Sequence, residues 1–233
     1  MKYFINYAYN RYVESQNIAS KSAEKFGFEV IKYEFKDLDE QFLDKNKKII
    51  NQKRGVGYWI WKPYLILKTL NQINMGDYLV YMDSGANLVK PVDDLLDTID
   101  DSGILSFQLK GCPNRNWIKG DCFFAINQVD DVYKFKDEEQ ILASFIFFKK
   151  TTFALNFVKK WLYYSEQEQI VTDLPNIYMA NCKEFIDHRH DQAIFSLLCY
   201  QNKIKNIPDI SQWCKLHNKN IDYIRIHHHR DES

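Results

Sequence analysis

Apolar residues recur along this chain in two rhythms, and the switches between them predict its elements. Tyr3 to Ala8 is an apolar, β-prone run and reads as a first strand. From Asn10 to Phe26 the apolar positions Val13, Ile18, Ala19, Ala23 and Phe26 fall near helical spacing, and Gly27 closes the segment. Phe28 to Phe35 alternates as a second strand. Asp37 predicts a cap for a helix running to about Ile50. Arg54 to Trp61 is an aromatic loop broken by Gly55 and Gly57. Pro63 then opens a helix, because proline at a helix start lacks only a donor that would be orphaned there. Ile66, Leu67, Leu70 and Ile73 give that helix one apolar face. Asp77 to Met82 is a strand that ends on Asp83-Ser84-Gly85.

The second half is less regular. Pro91 breaks the chain before a short helix, Val92 to Ile99, and Gly103 to Leu109 is a strand. Lys110 to Asp137 is mixed, with Trp117, Lys119 and Asp121 at alternate positions. Leu142 to Phe148 is a strongly apolar strand, and Thr151 or Thr152 starts a helix to about Tyr164. Glu166 to Glu184 is polar without a period, and a loop of that length is usually a functional lid or disordered. Asp191 to Tyr200 is a helix, and Ile204–Ile207 and Tyr223–Ile226 are short closing strands. Strands alternating with helices predict an α/β fold with a mainly parallel central sheet flanked by helices. A chain of 233 residues makes one domain. Residues 1 to about 109 form an α/β half suited to a nucleotide, and about 110–233 a mixed half that builds the second substrate's pocket.

Composition removes several function classes. Lys plus Arg and Asp plus Glu number 31 each, so no global field draws nucleic acid or an acidic membrane. Five cysteines, odd in number and without a C-x-x-C pair, argue for reduced thiols in a cytoplasmic setting. The first residues hold no apolar run of signal-peptide type, and no segment approaches the roughly 18 apolar residues of a membrane span. These features predict a soluble protein, which, if it serves a membrane pathway, visits the membrane surface rather than crossing it. The 15 Tyr, 16 Phe and 5 Trp thicken the core or line a site for ring-shaped ligands. The lysines of 45–53 read as a solvated helix face.

Three constellations carry candidate chemistry. A carboxylate at a strand end followed by small residues, Asp83-Ser84-Gly85, is where α/β proteins place ligands, although Asp83 can equally start a turn. It can hold Mg²⁺ or Mn²⁺ beside a diphosphate, and Gly85 admits close backbone approach. Asp187-His188-Arg189-His190-Asp191-Gln192 offers planar polar groups suited to vicinal hydroxyls, with Asp191 as a plain N-cap the alternative. His227-His228-His229-Arg230 offers an imidazole for a metal and a guanidinium for phosphate. No phosphate loop, dinucleotide fingerprint or nucleophile elbow is present, which counts against kinases, dehydrogenases and serine hydrolases.

Arg54-Gly55-Val56-Gly57-Tyr58-Trp59-Ile60-Trp61-Lys62-Pro63, Tyr81-Met82-Asp83-Ser84-Gly85 and His188-Arg189-His190-Asp191-Gln192, in this order, resemble bacterial and viral surface-polysaccharide glycosyltransferases of the GT-A fold. The resemblance implies a nucleotide-sugar donor, UDP-sugar favoured, a divalent metal, and a glycan or lipid-linked glycan as acceptor. It implies donor-side roles for Tyr7, Arg54, Tyr58, Trp61, Lys62, Asp83, Ser84, Gly85 and His190, and acceptor-side roles for Trp117, Lys119 and Asp121. Asp83 matches the first aspartate of the fold's Asp-x-Asp metal motif, but Gly85 stands where the second would be. His227, His228 or His229 would then complete the metal shell. Asp191-Gln192 resembles the Asp-Gln pair of retaining hexosyltransferases and marks the catalytic position, although an inverting enzyme would use Asp191 as general base. The alternatives are a non-catalytic carbohydrate-binding module, which needs neither nucleotide nor metal, and a sugar nucleotidyltransferase or phosphate-ester hydrolase, which needs no acceptor.

Overall fold

The structure, a computed structural model, describes residues 1–127, 131–214 and 221–229. In chain order it contains β1 (Lys2–Tyr7), α1 (Val13–Lys25), β2 (Glu29–Tyr33), α2 (Trp61–Gln72), β3 (Tyr78–Met82), β4 (Ala86–Leu88) and β5 (Ile104–Pro113). There follow α3 (Gly120–Asn127), β6 (Glu139–Ile141), β7 (Phe145–Lys149), α4 (Thr152–Ser165), α5 (His190–Gln201), β8 (Asn206–Pro208) and β9 (Ile226–His228), with short helical turns between. The main sheet has the order β2-β1-β3-β7-β5-β6, with β8 also on β5. Strands β1, β2, β3, β5 and β8 point one way, and only β6 and β7 run against them.

Both faces of the sheet are covered, so its strands are apolar on both sides. Along β3, Leu79 and Tyr81 face one apolar cluster, and Val80 and Met82 face the other. Leu65, Ile66 and Leu70 of α2, Trp161 of α4 and Ile194 of α5 fill the first cluster; Ala19 and Ala23 of α1 close the second. The predicted helix from Asp37 to Ile50 is broken. Asn46 separates Glu40–Lys45 from Lys47–Ile50, and its buried amide donates to Phe42 O (3.0 Å) and Glu166 Oε1 (3.1 Å). The strand expected over Leu142–Phe148 starts only at Phe145, because Leu142 to Ser144 forms the link between β6 and β7. Thr151 caps α4 as expected, accepting from Ala154 N at 2.9 Å.

Two features outside the regular elements shape the site. The first is the turn before α2. Gly55, Val56, Gly57, Tyr58 and Trp59 all have φ between 51° and 87°, so the chain makes one left-handed helical turn. Tyr58 N donates to Arg54 O at 2.7 Å and Trp59 N to Gly55 O at 3.2 Å. Each residue with a Cβ in that conformation costs about 1–2 kcal/mol, and a β-branched Val56 is an outlier there. The helix thus opens at Trp61 rather than at Pro63, which still lies in its first turn.

The second is the long segment from Glu166 to Glu184, which contains a helical turn at Glu168–Val171 and then runs as a strap. Buried Lys119 donates to the carbonyls of Gln169 (3.0 Å), Thr172 (3.3 Å) and Leu174 (2.6 Å). Asp121 accepts the backbone N–H groups of Ile177, Tyr178 and Met179, each at 2.9 Å. A Cβ on Gly120 would collide with the carbonyl oxygens of Met179 and Ala180. One residue of each charge thus holds the strap from both ends of its backbone dipoles.

Gly57→Ala tests the left-handed turn, because a Cβ there would meet Ile50 Cα at 2.7 Å. Gly76 has a similar φ of 86°, and no atom of the described residues lies within 4 Å of the added carbon. Urea unfolding should show Gly76→Ala losing about 1–2 kcal/mol from backbone strain alone and Gly57→Ala losing more. Equal losses would contradict the close approach.

Candidate active site

The carboxyl-terminal ends of β1 and β3 lie side by side. Ser84 Oγ donates to Tyr7 O at 2.5 Å and joins them. Asp83 N donates to Ser144 O at 2.7 Å, which brings the start of β7 to the same edge. After Gly85 the chain enters β4, which pairs antiparallel with β9, setting Ala86 opposite His228. Asp83, residues 187–192 and His228, drawn from the three sequence constellations, line one cavity at this edge.

At their centre lies a buried ammonium. Lys62 Nζ is 2.7 Å from Asp191 Oδ2 and 3.6 Å from Asp83 Oδ1, and it sits 5.5 Å from the Tyr81 ring centre. The Lys62 and Asp191 side chains are 4% and 5% exposed, so neither charge is shared with bulk water. Tyr81 OH donates to Asp83 Oδ1 at 2.6 Å and fixes that carboxylate. Burial pushes Asp191 up to about 6, against the downward pull of Lys62 and with a further push from Asp83. Asp191 does not act as a side-chain helix cap; Arg189 occupies the N-cap position and His190 has φ 49°. Gln192 is oriented from both ends, its Oε1 accepting from Ala143 N at 3.2 Å and its Nε2 donating to Gln140 Oε1 at 3.0 Å.

Two cavities flank this cluster and share Trp59 and Asp83 in their walls. One, of about 410 Å³, is aromatic, with Tyr7, Tyr9, Tyr12 and Trp61 beside Ser84 and Gly85. Trp61 stacks on Tyr7 at 4.1 Å, and its Nε1 donates to Gly55 O at 2.9 Å. The Tyr7 hydroxyl is buried without a hydrogen-bond partner among the described residues, and burial raises its pKa. The other cavity, of about 380 Å³, is polar; Lys62, Asp191, Gln192 and Arg54 line it together with Trp213 and His228.

The remaining predicted residues divide between wall and frame. Arg54 pairs with Asp187 and, at 3.1 Å, with Asp173 of the strap, so it ties the left-handed turn to both. The His188 ring is buried, with Nε2 2.9 Å from Ile170 O, and burial lowers its pKa well below the usual value. His190 has Nδ1 2.7 Å from Val171 O and lies against the Tyr58 and Trp59 rings. Burial lowers it to about 4, so it is a neutral wedge beneath the left-handed turn, although it also borders the polar cavity. Lys119 and Asp121 line neither of the two cavities beside Asp83, and their polar atoms are taken by the strap. Trp117 carries the Arg189 guanidinium over its ring at 4.3 Å. Asp173 and Trp213 were not signalled by any motif; both stand in irregular segments where periodicity carries no information.

Of the three terminal histidines, His228 lines the polar cavity with Asp83. His227 lies opposite Asn87 in the β4–β9 ladder, and His229 Nδ1 is 3.2 Å from Asn87 Oδ1. Arg230 lies outside the described residues. No group of three His, Cys, Asp or Glu side chains that could hold a metal forms among the described residues. One carboxylate and one imidazole fit a divalent ion only when a bound diphosphate supplies further oxygens.

No family profile matches the chain, and no curated protein is similar to it in sequence. Its fold is shared with solved glycosyltransferases. A glycosyltransferase involved in the glycosylation of the major capsid of PBCV-1 superposes with a TM-score of 0.55 at 10% identity, over 97% of this chain and 93% of that one. The galactosyltransferase LgtC, solved with donor and acceptor sugar analogues, gives 0.52 at 14% identity, over 99% and 87%. Mouse xyloside xylosyltransferase 1 gives 0.52 at 9% identity, over 98% and 97%. The mixed α/β architecture with helices on both sheet faces is thus the GT-A-like arrangement.

The cluster predicts a pH signature. A carboxyl whose folded pKa is raised contributes stability that is complete below its unfolded value and is lost as pH rises through the folded one; for Asp191 the window runs from 3.8 to about 6. Lys62→Met removes the charge that keeps Asp191 ionised, and breaking such a pair costs about 3–5 kcal/mol. Chemical unfolding should show that loss in full at pH 8 and a smaller one at pH 5, where Asp191 is protonated in both proteins. A loss independent of pH would contradict the pairing.

Proposed function

We propose that the chain is a glycosyltransferase that moves a hexose from a nucleoside-diphosphate sugar, with a UDP-sugar favoured, to a hydroxyl of a glycan or lipid-linked glycan. The observation that carries this reading is the buried Lys62 ammonium between Asp83 and Asp191 at the sheet edge where an aromatic and a polar cavity meet. The likeness of fold supports it. In this reading the aromatic cavity takes the nucleoside, with Tyr7 OH free to bond it, and the polar cavity takes the transferred sugar and the acceptor.

The leaving diphosphate gains negative charge as the glycosidic bond breaks, and a preorganised cation beside it stabilises that change. Lys62 is such a cation, held in place by two carboxylates. Asp83 and His228 would hold a divalent ion, which would supply further charge neutralisation to the diphosphate. The anomeric carbon becomes oxocarbenium-like, and the Asp191 carboxylate and Gln192 carbonyl oxygen supply negative potential at the cavity wall. Asp191 already bonds Lys62, which suits a residue that holds the donor sugar and favours retention over use as a general base. The five cysteines are free, in keeping with a reducing, cytoplasmic setting. Among the described residues no helix is long and apolar enough to cross a membrane.

Thermal shift against UDP, GDP and their sugar conjugates, each with and without Mn²⁺, tests the donor class. At least one nucleotide should raise Tm, and Mn²⁺ should enlarge the shift in wild type but not in Asp83→Asn. Asp83→Asn and Asp191→Asn should each lower kcat/KM for the stabilising donor by about 100-fold or more. No shift with any nucleotide, or rates within a few-fold of wild type, would contradict the reading.

A further inference from the structure

The geometry points to Trp213 as the platform on which the acceptor's sugar ring sits, a role that rests on the transferase reading only for what the ring does once bound. Of the five tryptophans, Trp213 alone is exposed, at 49%. One face of its indole lies flat on the His228 imidazole, with centres 3.9 Å apart and planes 3° apart. An exposed ring with one face covered offers the other to a ligand, and Trp213 borders the same cavity as Asp83, Asp191 and Gln192.

The backbone beneath the ring is held more firmly than an exposed surface residue requires. Buried Asp209 accepts Ser211 N at 2.8 Å and Ser211 Oγ at 2.9 Å. Ser211 Oγ in turn accepts Trp213 N at 3.3 Å. Gln212 makes two bonds to β9, donating to His228 O at 2.8 Å and accepting from His228 N at 2.9 Å. The hydrogen bonds fix the position of an aromatic face before any ligand arrives, which lowers the ordering cost of binding.

A pyranose suits this surface. Its axial C–H bonds form an apolar patch on one ring face, while its hydroxyls point outward around the rim. A flat indole buries the patch and leaves the hydroxyls to polar neighbours. The aromatic cavity beyond Trp59 and Asp83 suits the nucleobase, and Trp213 lines only the polar one of the two cavities, the one assigned to the transferred sugar and the acceptor. Leu109 and Leu142 line the same cavity and add apolar surface to it.

Saturation-transfer NMR on the full chain tests this with methyl β-galactopyranoside, methyl β-glucopyranoside and methyl α-mannopyranoside as probes. At least one should receive saturation, strongest on the protons of one ring face. Trp213→Ala should reduce that signal about five-fold or more, and Trp213→Phe, which keeps a flat ring over His228, should retain most of it. The melting shift produced by UDP or GDP without Mn²⁺, which does not draw on the His228 metal site, should be the same in all three proteins, which also shows that the alanine variant is folded. The platform is overturned if saturation survives Trp213→Ala, if wild type gives no signal with any of the three glycosides, or if Trp213→Ala abolishes the nucleotide shift, since the ring would then serve the nucleotide. A Trp213-dependent glycoside signal without any nucleotide shift in wild type upholds the platform and removes the transferase reading instead.

Discussion

The contact between Lys62 and Asp191 is the constraint on which the rest of the site depends. Two opposite charges removed from water repay their desolvation only when their geometry is fixed and their neighbours are polar. Here the geometry is fixed from three directions. Lys62 comes from the first turn of α2, Asp191 from the first turn of α5, and Asp83 from the end of β3. Moving any one of these elements leaves a buried charge unpaired, so the cluster sets the relative placement of the sheet edge and both helices. The carboxylate–ammonium–carboxylate arrangement also gives the cleft a cation that needs no reorganisation when negative charge develops beside it.

The strain around this cluster follows from the same requirement. Lys62 can reach inward only if α2 enters at the observed angle, and the left-handed turn at Gly55–Trp59 sets that entry. Strain of this kind persists where surrounding structure over-determines it. Several contacts do so: Ile50 packed against Gly57, the Trp61 indole bonded to Gly55, the neutral His190 ring beneath Tyr58 and Trp59, and Arg54 tied to Asp173 and Asp187. Asp173 is available for that tie because Lys119 and Asp121 hold the strap. The frame therefore extends from a strained turn, through a neutral imidazole, to a strap gripped by one cation and one anion.

Much of this was legible in the residues, and the limits of legibility have physical causes. The strand ending on Asp83 and the helix capped by Thr151 follow from period and capping chemistry, and both stand close to where the pattern puts them. The break at Asn46 and the late start of β7 go with tertiary hydrogen bonds, from the Asn46 amide to Glu166 and from Ala143 N to Gln192, that no local period encodes. Asp191 looked like a cap by position, yet the ammonium of a residue 129 positions away claims its carboxylate. Lys119 and Asp121 carry the charges of a binding site but spend them on backbone groups of the strap. Trp213 lies between a buried Asx-type turn and the last strand, where neither spacing nor composition marks it.

The most direct test of the central claim is a double-mutant cycle between Lys62→Met and Asp191→Asn, read by chemical unfolding at pH 8. If the pair organises the site, each single variant is destabilised and the double variant recovers part of the loss, with a coupling energy of about 2 kcal/mol or more. Losses that add within about 0.5 kcal/mol would show two independent residues and contradict the account.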